Sequence, residues 1–488
     1  MQTRLASLLA CLLLAQTVLA ARKAPELSTW LKKGNDVEGY GNYRHQADVA
    51  HAYQVLLRGG LKAEHIITLM FDDIAHNPEN PHKGQLYNRP GGEDVYSGVK
   101  IDYTGQRVNA KNFLAVLAGE QNATDNQQGR VLENTPQDRV FVYFSDHGAP
   151  GVLGMPSGPF LYADQLNQVL TQAAKKRKFK EMVLYIEACE SGSIFEGLLE
   201  SDLEVYATTA ANGRESSWGT YCPGMNPSPP PEFNTCLGDL YSVAWLENSD
   251  RNDLNEETLK KQYQLVKTRT SNNYTYVMGS HVMRFGTLDI DEEPAANFLG
   301  EDNTGDGSLA GNDAAAWTPL EAVPQRGADL LHLYTKYTRA TGADKSAALR
   351  ALDAEVAKRA ALDRSMHAAV SALVQKTALT SSVQTKYGEG LLGAGASSAA
   401  LVSLLVDDQL PRQPGTALVQ DWDCLRGMVA AWESGCGTLD QYGMQYTRTF
   451  ANLCNAGVEP AALAGASHEA CTAQGNLVGP QVHQVASS

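Results

Sequence analysis

The sequence predicts an α/β domain, a mainly parallel sheet flanked by helices, followed by an all-helical C-terminal region. Three observations carry this. Between residues 45 and 290, apolar runs rich in Val, Ile, Phe and Tyr alternate with amphipathic stretches, the rhythm of strands joined by crossover helices. Two of the runs, Val140–Phe144 and Met182–Ile186, are continuous rather than alternating, as in strands covered on both faces. After a Gly-, Asp- and Asn-rich stretch at Gly300–Gly311, the remaining pattern is helical.

In chain order, the first element is the apolar run Leu5–Leu14, preceded by Arg4 and followed by the small residues Val18 and Ala20. It is too short to span a bilayer, so residues 1–20 read as a secretory signal peptide. Residues 22–41 hold no apolar run from which a buried strand can be drawn. Ala47–Leu57 reads as a helix, Ile66–Phe71 as a strand and Leu203–Thr208 as a weaker strand. The run Lys175-Lys176-Arg177-Lys178 suits a helix C-terminus. These elements fill a domain over 21–293. A linker follows at 294–325, then a helical region at 326–488. There Leu349, Leu352, Val356, Met366, Val370 and Leu373 form one stripe, expected to be the core of a helical bundle. No later stretch is apolar enough for a membrane span, and neither a membrane nor a nucleic-acid partner is expected.

The chain of 488 residues carries a net charge of −15. Residues 326–386 go the other way, with 10 Lys and Arg against 5 Asp and Glu. A basic segment joined by a linker to an acidic domain suggests an internal electrostatic partner; a solvated helix face is the plainer account. Asn122 and Asn273 stand in glycosylation triplets. Of eight cysteines, Cys11 lies within the signal peptide. Cys222 and Cys236 flank a proline-rich loop and are placed to close it. Cys424, Cys436, Cys454 and Cys471 form a cluster that closes on itself. Cys189 is left over, either a reactive thiol or a buried inert one.

Its neighbourhood favours reactivity. Val140–Phe144 continues Ser145-Asp146-His147-Gly148, and Val183–Ile186 continues Glu187-Ala188-Cys189. Carboxyl ends of parallel strands carry active sites, so adjacent strands would bring Cys189 and His147 together as nucleophile and base. A free thiol has a pKa of roughly 8.5 and needs such a base. Gly148 allows close backbone approach, and the N–H groups of Gly148 and Cys189 suit an oxyanion hole. Metal-ligand spacing is absent from the sequence, and neither metal nor cofactor is expected.

Four segments now carry a resemblance: Asn42-Tyr-Arg-His-Gln-Ala-Asp48, Ser145-Asp-His-Gly148, Glu187-Ala-Cys-Glu-Ser-Gly-Ser193 and Glu215-Ser-Ser-Trp-Gly-Thr-Tyr-Cys222. They resemble the legumain family of asparaginyl endopeptidases, the vacuolar processing enzymes of plants. The likeness runs over residues 40–290 and resumes at Val323–Leu330 and in the cysteine-rich tail. The proline-rich loop resembles the plant-type branch. The resemblance implies a caspase-like fold and cleavage after Asn, more weakly after Asp in acid. It implies Cys189 as nucleophile, His147 as base and Asn42 orienting the imidazole. It further implies Arg44, Glu187 and Asp239 in the specificity pocket, with Ser216 and Ser217 at its wall. An Asn carboxamide offers one acceptor and two donors, which Arg44 and the two carboxylates would serve. The tail is then an inhibitory prodomain, with Val323-Pro-Gln-Arg326 across the site and Asn303 and Asn312 as self-cleavage points. Protein and peptide substrates in a vacuole, lysosome or extracellular space follow. A peptide ligase using the same acyl-enzyme, and an inactive binding homologue, are the alternatives; Gly219, after Trp218, resembles the hydrolytic type. The family also places an apolar strand shortly before Asn42, where residues 22–41 supply none.

Overall fold

A computed structural model describes residues 8–13, 39–302, 320–376, 379, 382–383, 397–407, 410, 412–413 and 415–473. Twelve strands occur there in chain order: β1 Leu8–Leu13, β2 Ile66–Leu69, β3 Arg139–Ser145, β4 Gly148–Ala149, β5 Val152–Leu153, β6 Leu161–Tyr162, β7 Glu181–Glu187, β8 Val205–Thr209, β9 Trp218–Thr220, β10 Gly238–Asp239, β11 Met283–Gly286 and β12 Ala322–Pro324. Six form the main sheet in the order β11-β8-β7-β3-β1-β2. All its pairs are parallel except β11 with β8. The strands expected at 140–144 and 182–186 are present, each a residue longer at both ends. Every residue of β7 is buried, as is all of β3 but Arg139.

The interior place between β2 and β3 is taken by β1. The leucine-rich run that reads as a leader thus supplies, at Leu8–Leu13, the strand that residues 22–41 lack. Its ladder has Ala10 opposite both Ile66 and Phe141. An interior strand satisfies backbone groups on both neighbours, so an apolar run is drawn to that place. Arg4, Val18, Ala20 and most of 22–41 lie outside the described residues.

Helices cover the sheet: α1 Tyr43–Arg58, α2 Ala110–Ala118, α3 Ala163–Lys175, α4 Leu240–Arg251 and α5 Leu259–Thr270. Phe141, Tyr143 and Tyr185 meet Trp245 of α4 edge-on, with ring centroids 5.0–5.8 Å apart. Such pairs contribute about 0.5–1.5 kcal/mol each beyond area burial. They lock α4, and with it the residue just before it, Asp239, to β3 and β7. As expected, α3 ends at the basic run, with Arg177 in the left-handed region at φ 51°.

The chain divides into two compact units, residues 1–352 with 415–417, and 353–414 with 418–488. The boundary expected at 326 therefore falls later, and the helix Ala328–Arg339 belongs with the sheet. In the second unit, Cys424–Cys454 and Cys436–Cys471 staple the helices Trp422–Cys436, Thr447–Asn455 and Pro460–Ala473. The expected stripe divides: Met366, Val370 and Leu373 are buried, but Leu349 is 38% and Val356 49% exposed. All six lie on one long helix, Gly342–Lys376, and only its later part is packed.

Candidate active site

Register alone brings two chemical groups together. In the parallel pair β3/β7, Ser145 stands opposite Glu187, so His147 and Cys189 each lie two residues past paired strand ends. The Asp146 N–H donates to the Glu187 carbonyl at 3.1 Å, which carries the pairing one residue further. Cys189 and His147 are each 1% exposed, and Cys189 carries a free thiol. The remaining pair, Cys222–Cys236, closes the proline-rich loop. Gly148 is demanded sterically. A Cβ there would stand 2.5 Å from the Cys189 carbonyl oxygen and 2.7 Å from Ala188 Cβ.

Two helix starts deliver the next layer. Asn42 and Asp239 occupy the N-cap positions of α1 and α4, yet neither side chain caps its helix. Forgoing a cap costs about 1 kcal/mol, and both side chains are turned to the site instead. Asn42 Oδ1 lies 3.1 Å from His147 Nε2. Asp239 Oδ1 accepts from Arg44 Nε at 2.9 Å, with both side chains fully buried. Arg44 Nη1 also donates to the Gly41 carbonyl and to Asn42 Oδ1, each at 3.2 Å. Gly219 on β9 borders this pair; a Cβ there would lie 3.4 Å from Arg44 Cδ and 3.7 Å from Asp239 Oδ1.

Glu187 ends β7. Its Oε2 accepts from the Ser242 N–H and hydroxyl, both at 3.0 Å, and the Ser217 hydroxyl is a further hydrogen-bonding neighbour of the carboxylate. Ser216 and Ser217 flank the thiol, with Oγ atoms 3.1 and 3.8 Å from Cys189 Sγ. The pocket thus gathers the residues that the resemblance implies, and two more. His45 Nδ1 lies 3.0 Å from Asp239 Oδ2, and its ring meets His147 edge-on at 4.9 Å. Asp48 accepts from Asn88 Nδ2 at 2.6 Å and from the Asp239 N–H at 3.2 Å. Both stand in the quoted segment Asn42–Asp48. Their spacing on α1 was the available signal, since residues one turn apart share a helix face.

The electrostatics follow burial and neighbours. Desolvation, then the charges of His45, Arg44 and Arg326, hold the His147 imidazole well below the usual histidine range. Desolvation and Arg44 likewise bring His45 down to about 4. Glu187 and Asp48 are pushed well up by burial and by the Asp239 charge. Burial acts on Asp239 in the same direction, but Arg44 and His45 outweigh it and hold that carboxyl low. The pocket therefore keeps one firm anion, Asp239, paired with one firm cation. Burial also raises the Cys189 thiol, against the pull of Arg326. His45, Asp146 and His147 place potential metal-ligand atoms within 4.8 Å of one another. Of these, Asp146 Oδ1 accepts from the His147 backbone N–H at 2.6 Å, and His45 Nδ1 lies against Asp239.

The chain covers its own site. β12 pairs antiparallel with β9, Val323 opposite Gly219 and Pro324 opposite Trp218. An extended segment added to a sheet edge is a common mode of peptide recognition. Next comes Gln325, 1% exposed, whose N–H donates to the Ser217 carbonyl at 2.9 Å. The thiol of Cys189 donates to its Oε1 at 3.4 Å, while Nε2 reaches the Asp146 carbonyl at 3.4 Å and Asp239 Oδ1 at 3.5 Å. Arg326 forks onto both Glu190 oxygens at 3.0 and 2.7 Å and donates to the Gly148 carbonyl at 2.7 Å. From Gln325 the backbone winds into a 3-10 turn and the helix Ala328–Arg339. Asn303 and Asn312 lie outside the described residues. Asn122 and Asn273 are exposed.

Comparison with known proteins gives this arrangement a family. Residues 36–301 match the Peptidase C13 family, and residues 404–471 match the legumain prodomain. The vacuolar-processing enzyme of Ricinus communis is 48% identical over 436 residues, 89% of this chain and 82% of that one. Legumain of Canavalia ensiformis is 45% identical over 435 residues, 89% of this chain and 86% of that one. Among solved structures, caspase-1 from Spodoptera frugiperda matches with a TM-score of 0.32 and 12% identity, over 57% of this chain and 86% of that one. No helix of the described residues is long and apolar enough to cross a membrane. With its catalytic part, its prodomain and these relatives, the chain belongs to the Peptidase C13 family, that of legumain, and is a cysteine-type endopeptidase.

Proposed function

We propose that this endopeptidase cleaves after Asn, and after Asp in acid, and that it is made as a precursor whose own Gln325 fills the specificity pocket. One observation carries the reading: the Gln325 carboxamide lies between the Cys189 thiol and the Arg44–Asp239 pair, where a substrate carboxamide would be read. Gln is one methylene longer than Asn, and the turn that follows it holds the next peptide bond in a helical rather than extended form. Both features make it an occupant rather than a substrate.

In the open site, His147 takes the thiol proton and the sulfur attacks the carbonyl carbon following Asn. The tetrahedral oxyanion is held by the N–H groups of Gly148 and Cys189. The C–N bond breaks as His147 returns the proton to the leaving amine, and water then hydrolyses the thioester. Asn42 orients the imidazole. Arg44 faces the substrate carboxamide oxygen; Glu187 and Asp239 face its NH₂, with Ser216 and Ser217 alongside. A substrate Asp lacks those donors. It fits once its own carboxyl is protonated, or where Glu187, whose pKa is raised by burial, supplies a proton.

Acid favours release, because His332 of the covering helix, held against the Asn234 carbonyl and with its pKa lowered by burial, gains a proton as pH falls. Cleavage at Asn303 or Asn312 would then free the covering segment and the helical tail. The relatives' printed name, vacuolar-processing enzyme, supports a vacuole; entry by the secretory route, a lysosome as the alternative, and Asn122 and Asn273 as sugar acceptors belong to the same proposal.

The test is to incubate the precursor in acid, map the new termini, and compare peptides differing only in Asn, Asp or Gln before the cleaved bond. We expect Asn over Asp, no cleavage after Gln, and no activity in Cys189→Ala. Cleavage indifferent to the Asn side chain would overturn the assignment.

A further inference from the structure

Arg44 is tied to more than the pocket. Resting on the reading above, we propose that Arg44 is also a positioning residue: through Asn42 it sets the tautomer of His147 and makes Nδ1 the base nitrogen. Pocket and catalytic base are then parts of one hydrogen-bonded chain.

The argument uses donor and acceptor identity alone. A guanidinium has donors and no acceptor. Its Nη1 lies 3.2 Å from the Asn42 side chain, so the atom facing it is the carboxamide oxygen; a flipped amide would set N–H against N–H. That same oxygen lies 3.1 Å from His147 Nε2. An amide oxygen only accepts, so Nε2 carries the hydrogen. Neutral imidazole has one N–H, which leaves the lone pair on Nδ1. Nδ1 makes no hydrogen bond of good geometry, in a residue 1% exposed, and the covering Gln325 side chain, which leaves when the site opens, is the ring's other hydrogen-bonding neighbour. A buried acceptor left open once that cover is gone is poised to take a proton.

The other arms of Arg44 fix it in place. Nε holds Asp239 at 2.9 Å, and Nη1 holds the Gly41 carbonyl at 3.2 Å in the turn before α1. Nη2 has no partner and remains for a substrate oxygen. Neutralising Asp239 would need only a positive charge, which Lys supplies. Reaching Asp239 and Asn42 at once needs the planar fork of Arg. A substrate carboxamide that pulls on Arg44 therefore pulls on the group that orients the base.

The test uses acid-activated enzyme and methyl methanethiosulfonate, a small neutral thiol reagent that does not require the pocket. The rate of Cys189 modification is followed against pH in wild type, Arg44→Lys and Asn42→Ala. We expect Arg44→Lys to lose about tenfold or more in rate near neutrality and to adopt the pH profile of Asn42→Ala, within the range a positioned base contributes. A wild-type profile in Arg44→Lys, with only KM for Asn peptides raised, would overturn the proposal and leave Arg44 a substrate reader. If His147→Ala also matches wild type, the thiol–imidazole reading itself fails, a different outcome. Should Arg44→Lys not fold, ¹⁵N NMR of the wild-type histidines decides: His147 protonated on Nε2 is expected, and protonation on Nδ1 overturns the inference.

Discussion

At the residue scale, Gly148 cannot take a side chain without moving backbone. The atom that a Cβ would strike is the Cys189 backbone oxygen at 2.5 Å, and backbone cannot swing aside as a side chain can. Gly148→Ala must push the nucleophile's peptide away from the oxyanion position. We expect kcat/KM to fall by about 100-fold, the scale of a lost oxyanion donor. The thermal midpoint should move far less; a midpoint collapse equal to the activity loss would make Gly148 a folding residue instead. The sequence made Cys189, His147 and Gly148 legible because each follows a continuous apolar run, and parallel sheets present their ends together. His45 and Asp48 were not legible in that way. A buried imidazole or carboxyl leaves no pattern in a single sequence; helix phase sets Asp48 one turn on from Arg44, and His45 one turn before Asp48. Their role emerges when α1 is set against β10, which requires the tertiary fold.

At the scale of elements, the covering helix Ala328–Arg339 holds its own titrating group. His332 is buried, its Nδ1 bonded to the Asn234 carbonyl at 2.9 Å. Glu79 and Lys336 stand beside it, with Nε2 3.5 Å from Glu79 Oε2 and Lys336 paired to the same carboxylate; Asp329 and the ring of Tyr40 complete its surroundings. Burial dominates and lowers its pKa. A histidine lowered on docking contributes fully above its free value, near 6.5, and loses that contribution as pH falls toward the docked value. Acid thus weakens this contact. His332→Gln, which has no proton to gain there, should make activation slower and shift it to lower pH. Activation unchanged across the pH series would exclude His332 from the trigger. The first strand makes a second element-scale point. Leu8–Leu13 carries both leader-like and strand-like character, and a leucine run cannot announce which it will be. Ladders on both sides predict that a chain beginning after Ala20 is less stable than one carrying β1. Thermal melting of the two lengths checks this, and equal midpoints would remove β1 from the working sheet. The long helix adds a third case, since a periodic stripe gives the face but not how far a neighbour extends along it. Leu349 and Val356 share that face with Met366 yet remain in solvent.

Across the whole molecule, the two compact units respond to acid with opposite sign. In the first, His332 opposes docking of the covering segment as pH falls. In the second, Glu433 on the helix Trp422–Cys436 is half-buried, accepts the Leu439 N–H at 3.2 Å, and is pushed up to about 7, chiefly by burial. A carboxyl raised on folding contributes fully below its free value and loses that contribution as pH rises through 7. The stapled unit is therefore firmer in acid, by on the order of 1–2 kcal/mol after allowing for solvent around a partly exposed group. The two disulfides act in the same direction at every pH, by restricting the unfolded chain. Activation should then proceed by cutting between intact units, not by melting of the tail. Hydrogen exchange on the full-length Cys189→Ala precursor, which cannot cut itself, separates the two routes. Protection over 422–436 should rise on going from mildly alkaline to acid buffer while protection over 328–339 falls, and Glu433→Gln should flatten the first trend and leave the second. Loss of protection in 422–436 at the pH where cleavage begins would mean that the prodomain unfolds to release the enzyme, and that the Glu433 carboxyl is outweighed by groups elsewhere in that unit.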